Sequence, residues 1–404
     1  MQTAVVYGAG NIGRGFVGAL MSQAGYQVYF VDVDKELVRQ LSEAGGYALQ
    51  VLSNEGAESS MVTGIRALDA ADADAVADAI AETSLMATAV GARVLPKIAP
   101  VIALGIKRRR ARGGPPLNII ICENLLDAND VLEGLVKQEL TAEEADWFDH
   151  NIGLMEASIG RMVPIQTEQM RQGDPLRISA EGYDFLPVDA AACKGELPPI
   201  RQLVPYAPFD HYIRRKLFLH NMGHACSAYL GMYAGKKLIW ETVEDPYILA
   251  ITKGAMLESA AALADGDGMS AGPLLSHIED LLLRFGNRAL GDTCRRVGAD
   301  IPRKLGRDDR LVGAALHCLG QGILPACIAA GIAAALYQYQ RERDLPQTAA
   351  WAEGALCDLS GLQQEHPLVS LVMGLYAHLQ RGCTLQELAR EVQLARQRLT
   401  GPVV

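Results

Sequence analysis

Residues 1–16, MQTAVVYGAGNIGRGF, restrict the fold more than any other stretch of this 404-residue chain. A short apolar run, Ala4 to Tyr7, leads straight into Gly8, Gly10 and Gly13, so that G-x-G-x-x-G sits between a predicted strand and a predicted helix. Gly8 permits the tight turn, Gly10 lets the backbone approach a pyrophosphate, and Gly13 lets the helix pack against the strand. The helix N-terminus offers unpaired N–H groups and the positive end of its dipole to that phosphate. A second apolar run, YQVYFVDVD, contains Asp32, placed to accept hydrogen bonds from both hydroxyls of an adenosine ribose. A carboxylate there, with Asp34 close behind, would repel a 2′-phosphate, so the pattern specifies NAD rather than NADP. The turn residues Gly8, Gly10, Asn11, Ile12 and Gly13, together with Asp32, are the expected cofactor contacts.

The first half continues to alternate. The helix GRGFVGALMSQAG is followed by the strand QVYFVDVD and the helix KELVRQLSEAG, and further apolar runs occur at SLMATAVG and PLNIIICENL. Fully apolar runs suit a parallel sheet buried on both faces. Ligands of such sheets sit at the carboxyl ends of the strands, which adds Ala89, Val90, Gly91, Glu123 and Asn124 to the candidate rim. The runs NIGLMEASI and RMVPIQT read as additional strands completing an α/β Rossmann-type domain over residues 1–200. From about residue 205 apolar positions recur at three and four spacing, so 201–404 reads as a mostly α-helical substrate domain.

A net charge of −10 argues against nucleic acid as a partner. The basic run within GIKRRRARGGPP reads as a solvated helix end and loop. Eight dispersed cysteines form no C-x-x-C and no zinc-ligand spacing, so no metal is expected and a reducing, cytoplasmic compartment is. The apolar stretch GILPACIAAGIAAALY contains Pro325 and is too short to span a bilayer, which predicts a buried helix and no membrane partner.

The helical half opens with FDHYIRRKLFLHNMGHACSAYLG, which carries Lys216, Asn221 and His224. With Lys216 at zero, regular helix geometry puts His224 near about 80° and Asn221 near about 140°, so all three can face one cleft. Hydroxyl oxidation needs a base for the proton and hydrogen bonds that hold the developing carbonyl oxygen, and lysine, amide and imidazole supply both. Burial, Arg214, Arg215 and a positive nicotinamide ring would lower the Lys216 pKa towards neutrality. His220, near about 40° by the same geometry, is a competing candidate.

GAGNIGRGF, TAVG, PLNIIICEN, RKLF-x-x-N-x-GHA, AYLG and RRVGADIPRKLGRDDRL together resemble the long-chain polyol-specific (mannitol) dehydrogenase family, from residue 1 to about 335. The resemblance implies Lys216 as general acid/base, Asn124 and Asn221 as an oxyanion-hole-like pair, and His224 as the residue that orients substrate. It also implies metal-independent, NAD-dependent interconversion of D-mannitol 1-phosphate and D-fructose 6-phosphate. A sugar phosphate needs cations, and Arg214, Arg215, Arg296, Arg303, Lys304 and Arg310 are the candidates. Of these, Arg296 and Lys304 match substrate-contacting positions of the family best.

Two departures bear on the substrate. Gly160, in Ile159-Gly160-Arg161-Met162-Val163-Pro164, stands where the family often carries an acid, and Arg214 and Arg215 precede Lys216 where relatives tend to have a Glu. An unphosphorylated polyol or a hexuronate is therefore the alternative substrate, and a catalytically silent NAD-binding sensor the alternative role. The segment 335–404 matches the family less clearly and either completes the helical domain or forms an interface.

Overall fold

The structure is a computed structural model that describes residues 2–125 and 127–400. The chain divides into two compact units, Met1–Tyr212 and Ile213–Val404.

The first unit is built on a six-stranded, all-parallel sheet of β1 (Thr3–Tyr7), β2 (Gln27–Asp32), β5 (Ile65–Asp69), β6 (Leu85–Thr88), β7 (Leu117–Ile121) and β8 (Ile152–Glu156), in the order β5-β2-β1-β6-β7-β8. The inner strands are largely apolar because both faces are covered, while the edge strand β5 carries Arg66 and Asp69. Ala4 and Val6 of β1 join one core with Phe16, Phe30 and Tyr47, while Val5 and Tyr7 join another with Ile80, Ile98 and Ile119. Strand order reverses at β1, which pairs with β2 on one side and β6 on the other. This reversal is the switch point at which open α/β sheets bind ligands.

A second sheet holds β3 (Gly46–Ser53), β4 (Gly56–Thr63) and β9 (Ile178–Glu181), and β10 (Leu186–Asp189) pairs with β11 (Leu203–Tyr206). Pairing with β10 keeps β11 in the first unit, so the chain divides beyond the Pro-dense stretch. The expected strand RMVPIQT is an extended loop instead. Its Pro164 has no N–H for a ladder, and the Gln166 side chain takes the place of a strand by accepting from Ser179 N–H (2.7 Å) and donating to Ser179 C=O (3.0 Å).

The basic run ending the helix Leu95–Ala111 is only partly solvated. Arg108, Arg110 and Arg112 pair with surface carboxylates. Arg109, 1% exposed, instead donates to the carbonyls of Ile80, Ala81, Thr83, Pro115 and Pro116 at 2.7–3.4 Å. It closes the C-terminal end of the helix Ala73–Glu82, whose last carbonyls have no intrahelical partner.

The second unit is helical among the described residues. The helix Ala326–Glu342 begins directly after Pro325 and is buried along most of its length, against Met222–Tyr233, Pro246–Asp267 and Pro367–Gln380. The helix Pro246–Asp267 is long and apolar enough to cross a membrane by length and composition alone, and 61% of its apolar window is buried within the protein. Its buried Glu258 accepts from Cys327 and Ile328 N–H at the start of the central helix, at 2.9–3.1 Å. Glu258 also pairs with Arg396 of Leu385–Thr400 at 2.6 Å, so the C-terminal segment completes this unit. All eight cysteines are free thiols, five of them buried.

Arg109→Ala is expected to lower the unfolding free energy by about 3 kcal/mol, because several buried carbonyls lose their donor at once. Urea denaturation followed by circular dichroism reads this. A loss under about 0.5 kcal/mol, the size of an ordinary surface substitution, would mean that water replaces the guanidinium.

Candidate functional site

In the first unit, β1 runs into a turn whose outer two glycines are required by the protein itself. Gly8 has φ +105°, and a Cβ there would lie 2.4 Å from the Ala89 carbonyl oxygen. A Cβ on Gly13 would lie 1.9 Å from the Gly8 oxygen. At Gly10 a Cβ would meet nothing within 4 Å, so the middle glycine faces open space.

Asp32 closes β2 beside this turn. Its Oδ2 accepts from Ala9 N–H (2.7 Å) and its Oδ1 from Asp34 N–H (3.0 Å). Asp34 caps the helix Lys35–Ala44, accepting from Glu36 and Leu37 N–H. Asn11 donates to the Pro164 carbonyl at 3.3 Å, and Ile12 packs against the core. An open face at Gly10, a helix N-terminus behind it and a fixed carboxylate at the neighbouring strand end fit the pyrophosphate and ribose of a dinucleotide.

Two supports of this turn are not marked by the glycine motif. Arg14, 5% exposed, donates from Nε to Ala9 C=O (2.7 Å) and from Nη1 to Leu176 C=O (2.6 Å), while Tyr47 Oη donates to Arg14 C=O (2.6 Å). Buried Glu123 accepts from Val90 N–H (3.0 Å) and Gly91 N–H (2.7 Å), which fixes the Ala89–Gly91 loop at the end of β6. Asn124 follows it, exposed, beyond β7. At Gly160 a Cβ would lie 2.9 Å from the Tyr183 ring, so that ring occupies the space an acidic side chain would take.

In the second unit, Lys216, Asn221 and His224 lie on one continuous helix, but not a regular one. Residues Lys216–Asn221 form a wide turn with i→i+5 bonding, and regular helix resumes at Met222. A turn that absorbs one extra residue sets the phase back by about 100°, which moves Asn221 to about 40° and His224 to about −20° from Lys216. The spread of about 140° expected of a regular helix contracts to about 60°, and all three share one face. Inside the wide turn the Phe218 carbonyl accepts from Ser259 Oγ at 2.7 Å.

The His224 ring stacks on Phe285, with centroids 4.6 Å apart and planes at 13°, and its Nε2 lies 3.5 Å from Asp292 Oδ2. Arg296 grips the same carboxylate with two 2.7 Å hydrogen bonds. Burial raises the Asp292 pKa, but His224 and Arg296 outweigh it and hold the carboxyl at about 2. His220 is buried, and desolvation, then Arg284 and its other positive neighbours, push its pKa well below 6.5. It is a neutral core histidine at physiological pH.

Five of the six candidate phosphate cations are engaged within this unit. Arg214 pairs with Asp267, Arg296 with Asp292, Arg303 with Asp300 and Asp309, and Arg310 with Asp309. Lys304 is buried and turned onto the Val297 and Ala299 carbonyls, and burial, then Arg310 and Arg303, lower its pKa to about 8. Among the described residues no group of three or more His, Cys, Asp or Glu side chains is placed to hold a metal ion.

Comparison with known proteins adds to this geometry. Residues 2–202 match the family described as mannitol dehydrogenase Rossmann domain, and residues 209–353 match the mannitol dehydrogenase C-terminal domain. A mannitol-1-phosphate 5-dehydrogenase of Brevibacillus brevis is 39% identical over 91% of this chain and 96% of its own. The enzyme of that name from Geobacillus thermodenitrificans is 37% identical, over 94% and 99%. Among solved structures, Pseudomonas fluorescens mannitol 2-dehydrogenase in complex with NAD and D-mannitol superposes with TM-score 0.77 at 18% identity, covering 97% of this chain and 94% of that one. A substrate-free D-sorbitol dehydrogenase gives TM-score 0.77 at 17% identity, over 94% and 93%. These two likenesses concern the fold.

Two outcomes follow from the helical site. Ser259→Ala is expected to cut kcat about tenfold while leaving the KM for NADH within twofold, since it frees the wide turn to relax. An unchanged kcat would mean that the turn holds without Ser259. Asp292 has a folded pKa below its unfolded value of 3.8, so its contribution is present above pH 4 and lost as pH falls towards 2. Asp292→Asn should therefore remove a pH-dependent component of stability on the order of 2 kcal/mol. Identical acid-unfolding curves for variant and wild type would contradict that.

Proposed function

This chain belongs to the mannitol dehydrogenase family, and we propose that it interconverts D-mannitol 1-phosphate and D-fructose 6-phosphate with NAD. Near-full-length identity to mannitol-1-phosphate 5-dehydrogenases carries the substrate assignment. The shared face of Lys216, Asn221 and His224 carries the chemistry.

NAD, when bound, supplies the nicotinamide carbon that accepts the hydride. The Gly8–Gly13 turn would hold its pyrophosphate, and Asp32 its ribose hydroxyls. In the oxidative direction the Lys216 amine takes the hydroxyl proton as the hydride leaves the same carbon, and it returns the proton in reduction. Asn221 donates a hydrogen bond to the reacting oxygen, whose charge rises at the transition state. His224, held by its stack on Phe285 and by Asp292, orients that oxygen. Arg296 stands on the Asp292 carboxylate beside His224 with 44% of its side chain exposed. It keeps guanidinium donors beyond that pair and is the residue assigned to the substrate phosphate. Lys304, buried against carbonyls, is assigned a structural role.

The test is NADH oxidation with fructose 6-phosphate and fructose in parallel. Turnover with the phosphate ester and little with fructose is expected, while equal rates would make this a dehydrogenase of unphosphorylated polyols. Lys216→Ala should lower kcat by at least about 10³-fold and leave NADH binding within twofold. Asp32→Ala should weaken NAD binding and narrow the preference over NADP, and an unchanged preference would remove Asp32 from the ribose.

A further inference from the structure

The helical unit contains a cleft of about 750 Å³, lined by Met232, Gly235, Lys236, Lys237, Thr293, Arg295, Gln338, Arg341 and Glu342. This volume is that of a small-molecule site. Four of the lining side chains are cationic and one is anionic, in a chain whose net charge is −10. Lys236 shares its charge with Asp245 at 3.6 Å, whereas Lys237 and Arg295 form no ion pair among the described residues. Arg341 is held in place by stacking on Tyr337, 4.5 Å from the ring centroid.

Gln338 identifies the cleft as more than a charged surface. It is 7% exposed, lines the cleft, and makes no side-chain hydrogen bond among the described residues. Its amide is therefore not spent on the protein and is open to a molecule that enters the cleft.

We propose that this cleft binds a phosphate monoester of a polyhydroxy compound. Lys237, Arg295 and Arg341 would take the phosphate, and Gln338 and Glu342 the hydroxyls. The site is separate from the catalytic face, because the helix rises roughly 12 Å between His224 and Met232. It is joined to that face through Thr293, which lines the cleft and follows Asp292, the residue beside His224. The assignment does not depend on the substrate proposed above.

Glucose 6-phosphate, an aldose phosphate rather than a 2-ketose, is the probe, with glucose as control. Isothermal titration is expected to show binding of the ester and none of glucose. The exposed double variant Lys237→Ala/Arg295→Ala should weaken it at least about tenfold and Gln338→Leu at least about threefold, with circular dichroism checking the fold. Lys216→Ala should bind the probe as wild type does, and the double variant should keep its KM for NADH and fructose 6-phosphate within twofold. Undiminished affinity in the double variant, or absence of binding to wild type at 1 mM, would overturn the proposal. So would a parallel rise in KM for fructose 6-phosphate, which would make the cleft part of the substrate site.

Discussion

Between Lys216 and Asn221 the helix holds one residue more than a regular turn accommodates, and the arrangement of the helical site depends on it. In a regular helix the amide would point well away from the lysine. The wider turn brings amine, amide and imidazole onto one face and leaves the Phe218 carbonyl to accept from Ser259. Such turns are less stable than regular helix and recur at functional sites. Packing opposes relaxation here, because the segments that follow and flank the turn are core helices of the unit.

The nucleotide-binding unit is organised by a different device, the buried or fixed carboxylate that accepts backbone N–H groups. Asp32 holds Ala9, Glu123 holds Val90 and Gly91, and Glu156 accepts from Ala128. Each carboxylate leaves the carboxyl end of a strand and braces the loop beside it with backbone hydrogen bonds. Glu258 does the same work at the start of the central helix of the second unit. Asp292 differs, since its partners are the side chains of His224 and Arg296.

How much of this was legible in the sequence follows from the range of each interaction. Five strands of the parallel sheet were, because strands covered on both faces are largely apolar, whereas β5, with Arg66 and Asp69, was not; the glycine turn was too, since its steric demands are local. Strand β4 was not, since all but Val62 of its residues are exposed and no alternation marks it. The basic run concealed Arg109, which differs from its neighbours only in what packs over it. The pairs that fix the sites, Glu123 with Gly91 and His224 with Asp292, join residues distant in the chain and leave no spacing signal. The wide turn was invisible because helical periodicity assumes a constant angle per residue; the regular-helix angles let Lys216, Asn221 and His224 face one cleft, and the wide turn narrows their spread. Gly160 was legible as a departure, but its cause, the Tyr183 ring over it, was not.

The assignment of Lys216 as the proton carrier is the centre of this account, and chemical rescue tests it most directly. Fructose 6-phosphate reduction by Lys216→Ala would be measured with added methylamine across a pH series. Turnover restored in proportion to the amine, with a pH dependence that follows the amine's own ionisation, is the expected result. Failure of any amine to restore a variant that still binds NADH, or wild-type turnover without one, would contradict it.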